Sequence, residues 1–164
     1  MRAHTGLTNI ACMIKAVEQN DGTIKTMFQT APSGKKHLYL PFPGGQMKFC
    51  VVYDEKTKLY WLLGTQSTDS MTRPEKLPKD RYCLSDNERR RLVLHFSKNM
   101  VDWCFAGVVA IGQVEKASRH YANMVIKGDD LLILSRSGDE NAKDAHNGDI
   151  ITFHRVKDFR RLVY

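Results

Sequence analysis

Arg119, His120 and Tyr121 stand together just ahead of an apolar run. Arg136, Asp139, Glu140, Asn141, Asp144 and His146 follow that run in one polar stretch. Arginine grips a carboxylate through a two-pronged fork of N–H donors, so Arg119 and Arg136 are candidate anion contacts, with His120 and His146 beside them. A tyrosine next to acidic groups can serve as a nucleophile and a carboxyl group as acid or base, which assigns catalytic roles to Tyr121, Asp139 and Glu140. Arg136 leads the anion contacts, because it leaves the strongly apolar Leu131–Leu134 and meets a loop full of polar partners. Each residue also has a plainer reading. Tyr121 is then a strand aromatic, and Arg136 a surface arginine paired with Asp139 or Glu140, worth about 0–1 kcal/mol.

A second set lies earlier in the chain: Gln46, Gln66, Ser67, Asp69, Arg73 and Arg89, with His4, Thr8 and Asn9 in the equivalent N-terminal place. Gln66 and Asp69 join the substrate-binding candidates. The turn Pro41–Gly45 shapes the approach to the middle of the chain, and its glycines permit close backbone contact.

Other chemistries are poorly supplied. Cys12, Cys50, Cys83 and Cys104 contain no C-x-x-C pair, so no zinc site is expected, and nothing in the pattern calls for a cofactor. Three of them sit in apolar runs, where cysteine acts as a small buried hydrophobe. The formal charge of +7 favours anionic partners. The basic residues are dispersed, however, and no nucleic-acid-binding motif is present, so nucleic acid is not expected. No apolar stretch reaches the roughly 18 residues of a membrane span. Met1–Asn9 shows no apolar signal-peptide core.

The elements that must position these residues are strands. Runs rich in Val, Ile, Phe, Tyr, Trp and Leu occupy Ile10–Val17, Thr23–Thr30, Met47–Tyr53, Lys58–Thr65, Arg91–Ser97, Asp102–Ala110, Tyr121–Ile126, Asp130–Ser135 and Asp149–Val156. Asn20-Asp21-Gly22, Asp54–Thr57 and Lys127-Gly128-Asp129 separate them as hairpin turns. One helix candidate, Ser85–Leu94, opens on a capping box formed by Ser85 and Glu88; a loop running into a strand is the equal alternative. Runs such as Phe49–Tyr53 and Leu131–Leu134 are apolar at successive positions, which predicts sheets covered on both faces.

The strands repeat. Met47–Tyr53, Lys58–Thr65, Arg91–Ser97 and Asp102–Ala110 form one four-strand unit. Tyr121–Ile126, Asp130–Ser135, Asp149–His154 and Phe159–Tyr164 form another, with Leu94-His95-Phe96-Ser97…Asp102-Trp103 matching Ile151-Thr152-Phe153-His154…Asp158-Phe159. Ile10–Val17, Thr23–Thr30 and His37–Leu40 make a shorter copy. The expected fold is all-β, with about three propeller blades of four antiparallel strands, near 1–42, 43–112 and 113–164; a β-sandwich is the alternative. In such a unit the start of the first strand and the loop between the second and third share one end. That brings Arg119–Tyr121 beside Arg136–His146.

Ser97-Lys98-Asn99-Met100-Val101-Asp102-Trp103 resembles the Asp-box of sialidases, with Asn99 in place of the usual Asp and no glycine. Its polar side chains can tie the turn while Trp103 packs between sheets. The stretch from Arg119 to Tyr164 is similar to bacterial sialidase-like proteins. The resemblance implies a glycoside hydrolase propeller acting on terminal acidic sugars, with Tyr121 as nucleophile; the alternative is a glycan-binding propeller without catalysis. Such rings have about six blades, so three imply missing blades, supplied by the rest of the gene product or by self-association.

Overall fold

The computed structural model describes residues 8–164; His4 lies outside them. The fold is all-β. Its strands are β1 (Ile10–Cys12), β2 (Ile14–Glu18), β3 (Ile24–Thr30), β4 (Lys36–His37), β5 (Tyr39–Pro41), β6 (Cys50–Asp54), β7 (Leu59–Thr65), β8 (Arg91–Ser97), β9 (Cys104–Ile111), β10 (Arg119–Lys127), β11 (Asp130–Ser137) and β12 (Ile150–Val156). They form four antiparallel sheets, none closed on itself: β1–β5, β2–β3–β4, β6–β7–β8–β9 and β10–β11–β12.

Strand β7 shows how sequence produces the middle sheet. Leu59, Trp61 and Leu63 occupy alternate positions and therefore one face. They join Leu92, Leu94 and Phe96 of β8 in a core shared with Met124, Leu131 and Ile133 of the last sheet. Leu62 points the other way and packs with Ala11 and Phe42 in a smaller cluster. The middle sheet is thus buried on both sides along β7.

The last sheet is not. Met124, Leu131 and Ile133 are buried, but Val125, Leu134, Ile151 and Phe153 are 58, 57, 68 and 60% exposed. The sequence predicts cover for both faces of Leu131–Leu134; here only the inner face has it. Register makes the contrast specific. Trp61 pairs with Phe96 and Leu63 with Leu94; likewise Leu134 pairs with Phe153 and Arg136 with Ile151. Leu94 and Phe96 are covered by the last sheet, while their sequence counterparts Ile151 and Phe153 face outward.

Several expected elements differ in form. Ile10–Val17 is broken into β1 and β2, which belong to different sheets, and His37–Leu40 is divided between β4 and β5. Of the two readings of Ser85–Leu94, the structure takes the loop running into a strand: only a single helical turn forms, Leu84–Asn87, after which the chain extends into β8. Phe159–Tyr164 is not a fourth strand. Phe159–Leu162 forms a 3-10 turn instead. The turn drives Phe159 into full burial edge-on against Trp61, with ring centroids 4.8 Å apart. Its neighbour Arg160 grips Asp54 at 2.8 and 2.7 Å. Tertiary contacts therefore outweigh the extended propensity of this segment.

The segment Ser97–Trp103 links β8 to β9 and is tied as its residue types predict. Ser97 Oγ accepts the Asn99 and Met100 N–H groups, and Asn99 Oδ1 accepts those of Val101 and Asp102. Half-buried Trp103 meets Phe42 edge-on at 5.3 Å. Trp103 and Phe159, equivalent in the repeat, each pack back onto the preceding unit. Cys12, Cys50 and Cys83 are half-buried, and Cys104 is exposed rather than core filler.

Candidate functional site

The site gathers at one end of the last two sheets, where β10 begins and β11 ends. His120 pairs with Arg136, and the next pair is Asn123 with Leu134. Tyr121 and Ala122 therefore oppose Ser135 alone, which is a β-bulge. Tyr121 adopts φ +48°, a left-handed conformation that costs an aromatic residue about 1–3 kcal/mol. Ser135 Oγ bonds the His120 carbonyl at 3.2 Å and helps to hold the distortion.

Three cations surround the half-buried Tyr121 ring. Lys48 Nζ lies 4.6 Å from its centroid, Arg89 Cζ 5.3 Å and Arg136 Cζ 5.9 Å. His120 stacks on it at 4.5 Å with planes 10° apart. The Tyr121 hydroxyl is 3.3 Å from His146 Nε2. His146 Nδ1 is 3.4 Å from Asp86 Oδ1, which also accepts Arg89 Nη2 at 3.0 Å. Among the described residues, neither Lys48 nor Arg136 has an ion-pair partner. The result is a concentration of positive charge with one carboxylate at its edge.

Protonation states follow from burial and from these charges. His120 is fully buried, and its pKa is lowered to about 3, first by desolvation and then by Arg89, Arg136 and His146. It is therefore neutral near pH 7, and its Nδ1 accepts from Arg89 Nη1 at 2.8 Å. That places the ring proton on Nε2. Burial pushes the Asp86 pKa up, but hydrogen bonds from Cys83 and Arg89, with the charges of Arg89 and His146, outweigh it and lower the pKa. Asp86 is an anion at neutral pH.

The remaining candidates take other places. Arg119 Nη1 donates to the Ser118 and Gly138 carbonyls at 2.7 and 2.8 Å, stapling the two strand ends together. Asp139 Oδ1 accepts the Asn141 N–H at 2.7 Å within its own loop, and Glu140 is exposed. Among the described residues, no hydrogen bond or ion pair is seen from either side chain to Tyr121. Gln66 is half-buried, and its N–H donates to the Arg91 carbonyl at 3.1 Å. Asp69 is exposed in a turn at φ +51°. Asp144 Oδ1 accepts the His146 and Asn147 N–H groups, each at 2.8 Å, and so sets the loop that carries His146.

Two members of the site, Lys48 and Asp86, have no signal in the sequence. Lys48 follows the glycine turn. A Cβ on Gly44 would lie 2.4 Å from the Thr65 carbonyl oxygen, and one on Gly45 would lie 2.6 Å from that of Ile10. Those glycines therefore press the turn onto neighbouring strands, and Lys48 reaches Tyr121 from there. Asp86 stands on the helical turn ahead of Arg89. That turn is anchored because the side chain of buried Glu88 binds Thr68, Arg81 and Arg91.

Set against known proteins, the chain matches no family model and no curated sequence.

Proposed function

We propose that this chain is part of a sialidase-like, carbohydrate-acting β-propeller and that the cluster around Tyr121 receives the carboxylate of a terminal acidic sugar. The observation that carries the reading is the ring of Lys48, Arg89 and Arg136 around one half-buried aromatic, with two of the three cations unpaired among the described residues. Such a cluster of cations attracts an anion, and an aromatic ring suits the apolar face of a sugar ring. The propeller reading draws on the repeat. Two successive sheets stack face to face, equivalent aromatics pack backward, and the outer face of the last sheet matches the covered face of the one before it. Further units of the same kind, from the rest of the gene product or from other copies, would cover it.

The activity of the reading is hydrolysis of the bond to the acidic sugar. A second reading, recognition without hydrolysis, is favoured by Asp139 and Glu140, neither of which is hydrogen-bonded to Tyr121 among the described residues. The test is calorimetry with N-acetylneuraminic acid and its methyl ester on wild-type and Arg136→Ala protein. The expected result is binding of the free acid that weakens at least about tenfold on substitution, or roughly 1.4 kcal/mol, with little change for the ester. Equal losses for acid and ester would assign Arg136 to the loop and not to the ligand.

A further inference from the structure

Tyr121, His146 and Asp86 come from three separate segments and form a chain of contacts: Oη to Nε2 at 3.3 Å, then Nδ1 to Oδ1 at 3.4 Å. We infer that His146 is the base that takes the Tyr121 proton, and that Asp86 is the positioning residue that holds His146 in the required tautomer. The inference rests on the acidic-sugar reading and supplies the base that Asp139 and Glu140 do not.

Asp86 sets the tautomer of His146. Its carboxylate is charged at neutral pH and faces Nδ1, which favours the imidazole proton on that nitrogen. Nε2 is then left with its lone pair toward the tyrosine hydroxyl. A nucleophile within reach of a base, with the base oriented by a third group, is the arrangement that activates a weak hydroxyl. Lys48, Arg89 and Arg136 surround the same ring. The bulge provides independent support, because a left-handed aromatic at φ +48° is a strained conformation of the sort found where geometry serves function.

The chemistry balances. Tyr121 Oη attacks the anomeric carbon, and its proton passes to His146 Nε2. The bond from that carbon to the aglycone oxygen breaks, and the electron pair leaves with the aglycone. From a 4-methylumbelliferyl glycoside the aglycone departs as the phenolate and needs no acid. Water then attacks the same carbon and releases a proton to solvent, and tyrosinate leaves and regains its proton from His146.

Other charged and titratable groups surround His146. His120 stands beside it, with ring centroids 6.3 Å apart, and stays neutral. Arg89, just ahead of β8, and Arg136 of β11 add positive charge, and Lys143 and Asp144 belong to its own loop. Glu115 and Lys116 line the adjoining cleft with Asp86.

The test uses the 4-methylumbelliferyl glycoside of N-acetylneuraminic acid for turnover. A 2,3-difluoro analogue traps the tyrosyl adduct for peptide mass spectrometry, and calorimetry follows the free acid. Wild type should label at Tyr121. His146→Ala and His146→Gln should each lower turnover and labelling by about 100-fold or more while binding shifts by less than about threefold. Added imidazole should restore part of the loss in His146→Ala, and Asp86→Asn should displace the limb of the pH profile that reports the base. Absence of binding by the wild type would overturn the acidic-sugar reading and this inference together. Binding without turnover or adduct, or His146 variants that label at the wild-type rate, would overturn the inference alone.

Discussion

Replacing Arg160 by alanine removes the ion pair that fastens the C-terminal turn to the middle sheet. Arg160 meets both Asp54 oxygens, at 2.8 and 2.7 Å, and the carboxylate is 3% exposed. Its guanidinium also lies 4.5 Å from the Phe159 ring centroid. After substitution, Asp54 keeps only the Thr57 hydroxyl at 2.6 Å and the Thr57 N–H at 3.3 Å. Breaking one side of a buried pair costs about 3–5 kcal/mol, and the lost contact with Phe159 adds about 0.5–1 kcal/mol. Arg160 is itself 16% exposed, which moves the expected loss toward the lower end of that range, about 3 kcal/mol.

The pH dependence supplies a second signature. The Arg160 hydrogen bond, then Thr57 and the Arg160 charge, hold the Asp54 pKa far below its usual value despite burial. A depressed carboxyl pKa contributes stability above the unfolded value near about 4, and the contribution is lost as pH falls toward the folded one. Wild type should therefore lose stability on acidification below about pH 4, and Arg160→Ala should show a flattened or reversed slope there. Urea titrations from pH 2 to 7, with Asp54→Asn and the double variant completing a cycle, measure both effects. A loss under about 1 kcal/mol together with an unchanged acid slope would refute the reasoning.

Trp103→Ala should destabilise by about 2–3 kcal/mol, below the range for a fully buried aromatic because Trp103 is only half-buried against Phe42, and thermal unfolding would register it. Acidic-sugar binding should survive that change, since Trp103 sits at the opposite end of the strands from Tyr121. Asn99→Ala should cost about 1–2 kcal/mol, because Oδ1 accepts two turn N–H groups, and Asn99→Asp should recover much of the loss. Light scattering should detect self-association through the last sheet; Phe153→Asp should abolish it, and a wild type that stays monomeric at high concentration would count against open faces that seek cover.

Much of the strand layout was legible because a period-2 apolar pattern and a turn residue act locally. The hairpins around Gly22, around residues 54–58 and around Gly128 required nothing from the rest of the chain. The pairing of His120 with Arg136 was equally local: an antiparallel hairpin turning at Gly128 must bring the start of β10 beside the end of β11. The side-chain ties of Ser97–Asp102 were also written into residue types at short spacing.

What tertiary structure alone decided depended on contacts distant in sequence. Lys48 reaches Tyr121 across 73 residues, and Asp86 reaches His146 across 60. No local pattern marks either one, because each is delivered by a turn packed on other sheets. Phe159–Leu162 had the composition of a strand, yet the space beside Trp61 and the charge of Asp54 drew it into a 3-10 turn. The exposure of Leu134, Ile151 and Phe153 was likewise undetermined by their apolar character. That character specifies a face to be covered, and only the stacking of whole sheets decides which faces are.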